Sequence, residues 1–183
     1  MNDEPIPNAA TEQPLTPHPL DVMRQVFRDA EFHFDDEDSR LFLRLKLECV
    51  DVSIVCWGNP NDVATLIVTL PVRATPDFRP QVGEFLHRLN YDSKRKFWEM
   101  DYNDGEIRLA AYLDTILGPL TPGLFQALLH YLVKTADTVF PYLTSVLSGR
   151  MTPEFAADQA EAAIQALSNK QDISEDERAS DEN

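Results

Sequence analysis

Two runs of alternating apolar and polar residues flank Asp104-Gly105, and no other stretch of the chain restricts its fold so tightly. The segment reads Phe97-Trp98-Glu99-Met100-Asp101-Tyr102-Asn103-Asp104-Gly105-Glu106-Ile107-Arg108-Leu109-Ala110-Ala111-Tyr112-Leu113. Asp-Gly tolerates the positive φ angles of a two-residue type I′ turn between antiparallel strands. Such a turn sets Tyr102 opposite Ile107, Met100 opposite Leu109 and Trp98 opposite Ala111 on one apolar face. The other face then pairs Asp101 with Arg108, Glu99 with Ala110 and Phe97 with Tyr112. A slip of one residue would mix the two faces, so turn chemistry and side-chain pattern agree.

More strand precedes this hairpin. Leu41, Leu43, Leu45 and Leu47 line one face, with Arg44 and Lys46 on the other; beyond Glu48-Cys49 the apolar residues move to even positions, Val50, Val52, Ile54 and Cys56. A tight hairpin or a bulge produces such a flip. Glu-Cys has no Gly or Asn to support a primed turn, which favours one long bulged strand. Gly58-Asn59-Pro60-Asn61 turns the chain into a strand ending at Leu70, and pairing Gly58 with Asp62 sets Ile54 opposite Leu66 and Val52 opposite Val68. Trp57, Val55, Val63 and Ile67 then share the second face, which is unusually apolar for a face left to water. Phe32-His33-Phe34 alternates briefly before Asp35-Asp36-Glu37-Asp38. Those acids read as a solvated turn, because the spaced ligands, central Gly and distal Glu of a calcium loop are missing.

Helical periodicity marks four further segments. Val22, Met23, Val26, Phe27 and Ala30 recur at helical spacing after Pro19, and Phe78, Val82, Phe85, Leu86 and Leu89 do so within residues 77–90. Thr121-Pro122 caps a long helix whose apolar residues, from Leu124 to Phe140, cover more than half of its circumference. A helix apolar that far round needs cover on two sides, which predicts a symmetric homodimer. Pro141 is expected to kink it. Gly149 ends it, and Thr152-Pro153 starts an Ala-rich helix that runs to about Ser168. Residues 1–17 are polar, Pro-rich and unpatterned, and residues 169–183 are charged; both read as disordered, leaving 18–168 as one domain.

Charge and cysteine usage restrict the partners. The 183 residues carry a formal net charge of -15, which repels nucleic acid and anionic membrane and favours a basic partner or simple solubility. Cys49 and Cys56 would lie on opposite faces of a regular strand and cannot pair within one, as suits free thiols in a reducing cytosol. The acidic N-terminus does not resemble a signal peptide, and no apolar run spans a bilayer, so the expected location is the cytoplasm.

The segment from Leu86 to Ile107, with its Leu89-Asn90 and its Asp104-Gly105 turn, resembles the YbjN family. Ala136-Asp137, Pro141-Tyr142-Leu143, Val146 and Gly149, followed by a Glu- and Ala-rich helix, are also similar to it. The resemblance covers roughly residues 20–168 of this chain. It implies a bacterial α+β protein like the type III secretion chaperones, often a homodimer, without a catalytic centre and labelled a sensory transduction regulator. This chain departs from the family pattern at Lys94-Arg95-Lys96, where a Gly is common before the first strand of the hairpin.

Catalytic signatures are missing: there is no Gly-x-Ser-x-Gly, phosphate-binding loop, dinucleotide glycine pattern or zinc spacing. His18, His33, His87 and His130 are scattered over different elements, and Asp101, Asp104 and Asp114 have structural places in the hairpin. Lys94-Arg95-Lys96 beside Phe97-Trp98 reads as a solvated connection rather than a nucleic-acid patch. The chain is thus expected to form an antiparallel sheet of about five strands with helices packed on it. Its expected role is a non-enzymatic, protein-binding, chaperone-like or regulatory module needing no cofactor or metal. A small-ligand-sensing regulator and an enzyme of unrecognised type are the alternatives. The expected partner surface is the outer sheet face, formed by Phe97, Tyr112, Trp57, Val55, Val63 and Ile67, unless a helix of the same chain covers it.

Overall fold

The structure, a computed structural model, describes residues 17–59, 62–91, 93, 96–116 and 118–181, with side chains as far as Leu167. Of the N-terminal arm expected to be disordered, all but Pro17 lies outside the described residues. The chain order is α1 (Pro19–Asp29), β1 (Asp35–Glu37), β2 (Arg40–Lys46), β3 (Asp51–Gly58), β4 (Val63–Arg73) and α2 (Arg79–Tyr91), followed by β5 (Phe97–Met100), β6 (Glu106–Asp114), α3 (Pro122–Leu147) and α4 (Pro153–Asp181). One open antiparallel sheet takes the order β1-β2-β3-β4-β6-β5, so the α+β class holds with six strands in place of about five.

The added strand, β1, comes from the acidic run read above as a solvated turn. Asp38 and Ser39 take φ angles of 49° and 61°, the two positive values of a type I′ turn, and so fold Asp35–Glu37 back onto β2. Arg24 of α1 then donates to the Asp36 carboxylate at 2.5 and 3.0 Å. That guanidinium holds the Asp36 pKa below its ordinary value.

The region read as one long bulged strand is instead a hairpin, β2 and β3, turning at Glu48-Cys49. Neither turn residue has a positive φ, and Leu47 N–H donates to Val50 O at 3.0 Å across the turn. What replaces the missing Gly or Asn is a carboxylate from a distant helix: Asp137 of α3 accepts from Cys49 N–H at 2.7 Å.

Two other registers differ from expectation by two residues each. Ile54 faces Val68 rather than Leu66, because Asp62 is held by Thr115 beyond β6 rather than by Gly58. Thr115 N–H and Oγ1–H reach Asp62 O at 2.8 and 2.7 Å. In the β5–β6 hairpin Trp98 faces Leu109, Glu99 faces Arg108 and Phe97 faces Ala110, so the Asp101–Arg108 pairing is corrected to Glu99–Arg108. Its loop is longer than a two-residue turn: Asp101 N–H donates to Glu106 O at 2.9 Å and Gly105 N–H to Asp101 O at 2.7 Å. Gly105 has φ 78° and offers its carbonyl to Ala74 N–H at 2.8 Å. A Cβ at this position would run into the Ala74 carbonyl, so no other residue fits without strain. Because side chains alternate with period two, both slips preserve the expected faces.

Among the described residues α1, α2 and α3 pack on one face of the sheet, and α4 packs on α2 and α3. Leu41, Ile54, Leu66 and Leu109 from the sheet meet Phe27, Phe85, Phe125 and Leu132 from the helices, each 0% or 1% exposed. The wide apolar girth of α3 is covered within the chain by α1, α2 and α4, where Ala156, Ala157 and Ala160 permit close approach. The ground for expecting a second copy on α3 is therefore removed. The helix runs as one element through Pro141. α4 continues past the expected end near Ser168 to Asp181, a stretch without Gly or Pro to stop a helix. Among the described residues no helix is long and apolar enough to cross a membrane.

Candidate partner-binding face

The opposite side of the sheet carries a row of apolar side chains set by the ladder itself. Phe42 of β2 pairs with Val55 of β3, Val55 with Ile67 of β4, Ile67 with Ala110 of β6 and Ala110 with Phe97 of β5. A second row runs Trp57–Thr65–Tyr112, and a polar row runs Arg44–Ser53–Thr69–Arg108–Glu99. Ile67 and Ala110 are buried yet lie outside the helix-side core, shielded by the larger side chains of their own face. Phe42, Phe97 and Tyr112 stay 38%, 42% and 42% exposed, so the described helices leave this face open.

All six residues expected at a partner surface fall on it. Val55, Trp57 and Val63 are half-buried, Ile67 is buried in the central row, and Phe97 and Tyr112 are exposed. Phe97 is opposite Ala110 rather than Tyr112, but the Tyr112 ring lies diagonally across with its centroid 6.4 Å away. Phe42 is the residue that sequence reasoning missed. Its signal was present, since it alternates with Leu41 and Leu43, but the misread β2–β3 turn left its neighbours unassigned.

A charged rim surrounds the row. Arg108 Nε donates to Glu99 Oε2 at 2.6 Å and Tyr112 O–H donates to Glu99 Oε1 at 2.9 Å, which fixes both side chains on one carboxylate. Partial burial, and then the Glu99 carboxylate, push the Tyr112 pKa up, while Glu99 raises that of Arg108. Arg40 lies over the Trp57 ring at 5.1 Å from its centroid. The face thus joins fixed aromatics to bound charges of both signs. Lys96 departs from expectation: it is buried, at 6% exposure, whereas Lys94 and Arg95 lie outside the described residues.

These features define an α+β domain with every described helix on one side of its sheet. The chain belongs to the YbjN family, whose profile, described as "Putative bacterial sensory transduction regulator", matches residues 19–145. It is similar to the crystal structure of YbjN from E. coli, described there as "a putative transcription regulator". That match has 16% identity and a TM-score of 0.48 over 73% of this chain and 92% of that one. A comparison with curated proteins gives no match.

Proposed function

We propose that the protein is a non-enzymatic regulatory module, chaperone-like in its action, that binds protein through the open sheet face. The observation that carries this reading is the apolar row Phe42–Val55–Ile67–Ala110–Phe97 on a face that no described helix covers. A second copy is the partner it fits first. The rim holds Arg40, Arg44, Arg108 and Glu99, and a two-fold arrangement can set opposite signs of such a rim against each other. The net charge of -15 argues for regulation through protein contacts rather than through DNA, and the two free thiols suit the cytoplasm.

The test is the double substitution Phe97→Ser with Tyr112→Ser. Both rings are more than half covered by sheet neighbours, so the pair should cost about 1–2 kcal/mol in total, well below the 3–5 kcal/mol of one core aromatic. Sedimentation equilibrium of the wild type should show dimers that weaken at least about tenfold in the variant. A wild type monomeric at about 100 μM removes the second copy as partner. A loss of stability of core size returns both rings to packing.

A further inference from the structure

A cavity of about 800 Å³ lies at the sheet edge, where α2, α3 and α4 meet the end of β6 just before β5 begins. Its size is that of a small-molecule site, and Leu89, Leu113, Leu128 and Ile164 make much of its wall apolar. Into this wall is set Lys96, whose residue is only 6% exposed. Lysine is almost never so buried unless its ammonium is paired. Here the ammonium lies 5.1 Å from the centroid of the Tyr131 ring, and no described carboxylate reaches ion-pair distance. Glu161 favours the charged form from farther off, yet burial dominates and brings the Lys96 pKa down to about 8.

The lysine is held in place by its backbone. Ser93 Oγ–H donates to the Lys96 carbonyl at 2.5 Å, and Asn90 clasps Trp98 by bonds of 2.7 and 2.8 Å to its N–H and C=O. A buried, positioned cation with no described carboxylate at ion-pair distance, in a cavity with a largely apolar wall, is what a carboxylate on a hydrophobic body would complete.

We propose that this cavity binds a small monocarboxylic acid, its carboxylate on Lys96 and its apolar body against Leu89, Leu113, Leu128 and Ile164. Glu161 sets the charge class: one added anion leaves the site with a single excess negative charge, whereas a dicarboxylate or a phosphate would leave two in a medium that screens poorly. At physiological salt the screening length is about 8 Å, so the more distant negative charges of the chain are largely damped at the cavity and selection falls to Lys96. The cavity shares Tyr112 with the open sheet face, but the proposal does not depend on the protein-binding reading.

Calorimetric titration of the full chain with octanoate and with octanol tests the proposal. Octanoate should bind at pH 7 with octanol at least about tenfold weaker. Lys96→Met should bind the two alike, and Lys96→Arg should keep the preference for octanoate. Circular dichroism melting of both variants shows that they fold. Octanoate affinity should be level between about pH 6 and pH 8 and fall by up to about tenfold per unit above it, while octanol affinity stays flat, because the ammonium is lost there. The other titratable groups lining the cavity are Glu161, Tyr112 and Tyr131, and the Tyr112 pKa is itself pushed up. Equal binding of acid and alcohol by the wild type overturns the proposal, as does a preference that survives in Lys96→Met. Absence of octanoate binding up to about 2 mM overturns it too.

Discussion

Replacing Asp137 by alanine should loosen a turn that its own residues do not hold. Asp137 is 8% exposed and its Oδ1 receives the Cys49 N–H at 2.7 Å, joining α3 to the β2–β3 turn. A hydrogen bond to a charged acceptor contributes about 1.5–3 kcal/mol. Cys49 is exposed, so its freed N–H can bond water, and removing a partly desolvated charge offsets some of the loss. The net expectation is about 1–2 kcal/mol, or about 2–8 °C in melting temperature for a domain of this size. Asp137→Asn keeps a carbonyl acceptor without the charge and should recover roughly half. Cys49→Ala leaves the backbone donor in place and should change little, which separates turn from thiol. Differential scanning calorimetry gives the stabilities, and hydrogen exchange at the amide of residue 49 locates the effect. An Asp137→Ala protein that melts within about 1 °C of wild type, with that amide unchanged, would refute the reasoning.

Two further outcomes follow from single positions. Gly105→Ala combines a positive φ with a Cβ driven into the Ala74 carbonyl and should cost more than about 2 kcal/mol in urea unfolding. Gly123→Ala, where an added Cβ meets nothing within 4 Å, should be neutral or slightly stabilising; equal losses at both sites would dismiss the close approach as the cause. In thiol labelling of the native protein, exposed Cys49 should react and Cys56, buried with its pKa pushed up to about 12, should not until urea is added. Modification of Cys56 first, with the fold intact, would contradict the burial.

The faces of the sheet were legible and the lengths of its turns were not, for one physical reason. Face assignment depends on a period of two, so a slip of two residues in β3–β4 or β5–β6 leaves Ile54, Val68, Trp98 and Leu109 inward and Phe97 and Tyr112 outward. Turn length depends instead on which backbone groups find partners, and the deciding partners come from elsewhere. Asp137 holds Cys49, Thr115 holds Asp62, and Ala74 meets Gly105. Local turn chemistry ranks Asp-Gly above Glu-Cys, but an acceptor arriving from α3 outweighs that ranking.

Lys96 shows how composition can mask the same periodicity. In Lys94-Arg95-Lys96 the run of like charges suggests a solvated connection, and charge alone gives no reason to separate the third residue from the first two. Yet Lys96 stands two positions before Trp98, which faces inward, and four before Met100, which packs against the core. Continuing the strand's alternation backward by one step turns Lys96 to the helix side, where α3 and α4 bring Tyr131 and Glu161 around it. Phe97, its neighbour of opposite parity, faces out to join Tyr112. The strand entry thus sends consecutive residues to different places, a buried cation to the cavity and an aromatic ring to the open face. A tri-basic run read residue by residue against Trp98 would have placed the lysine correctly.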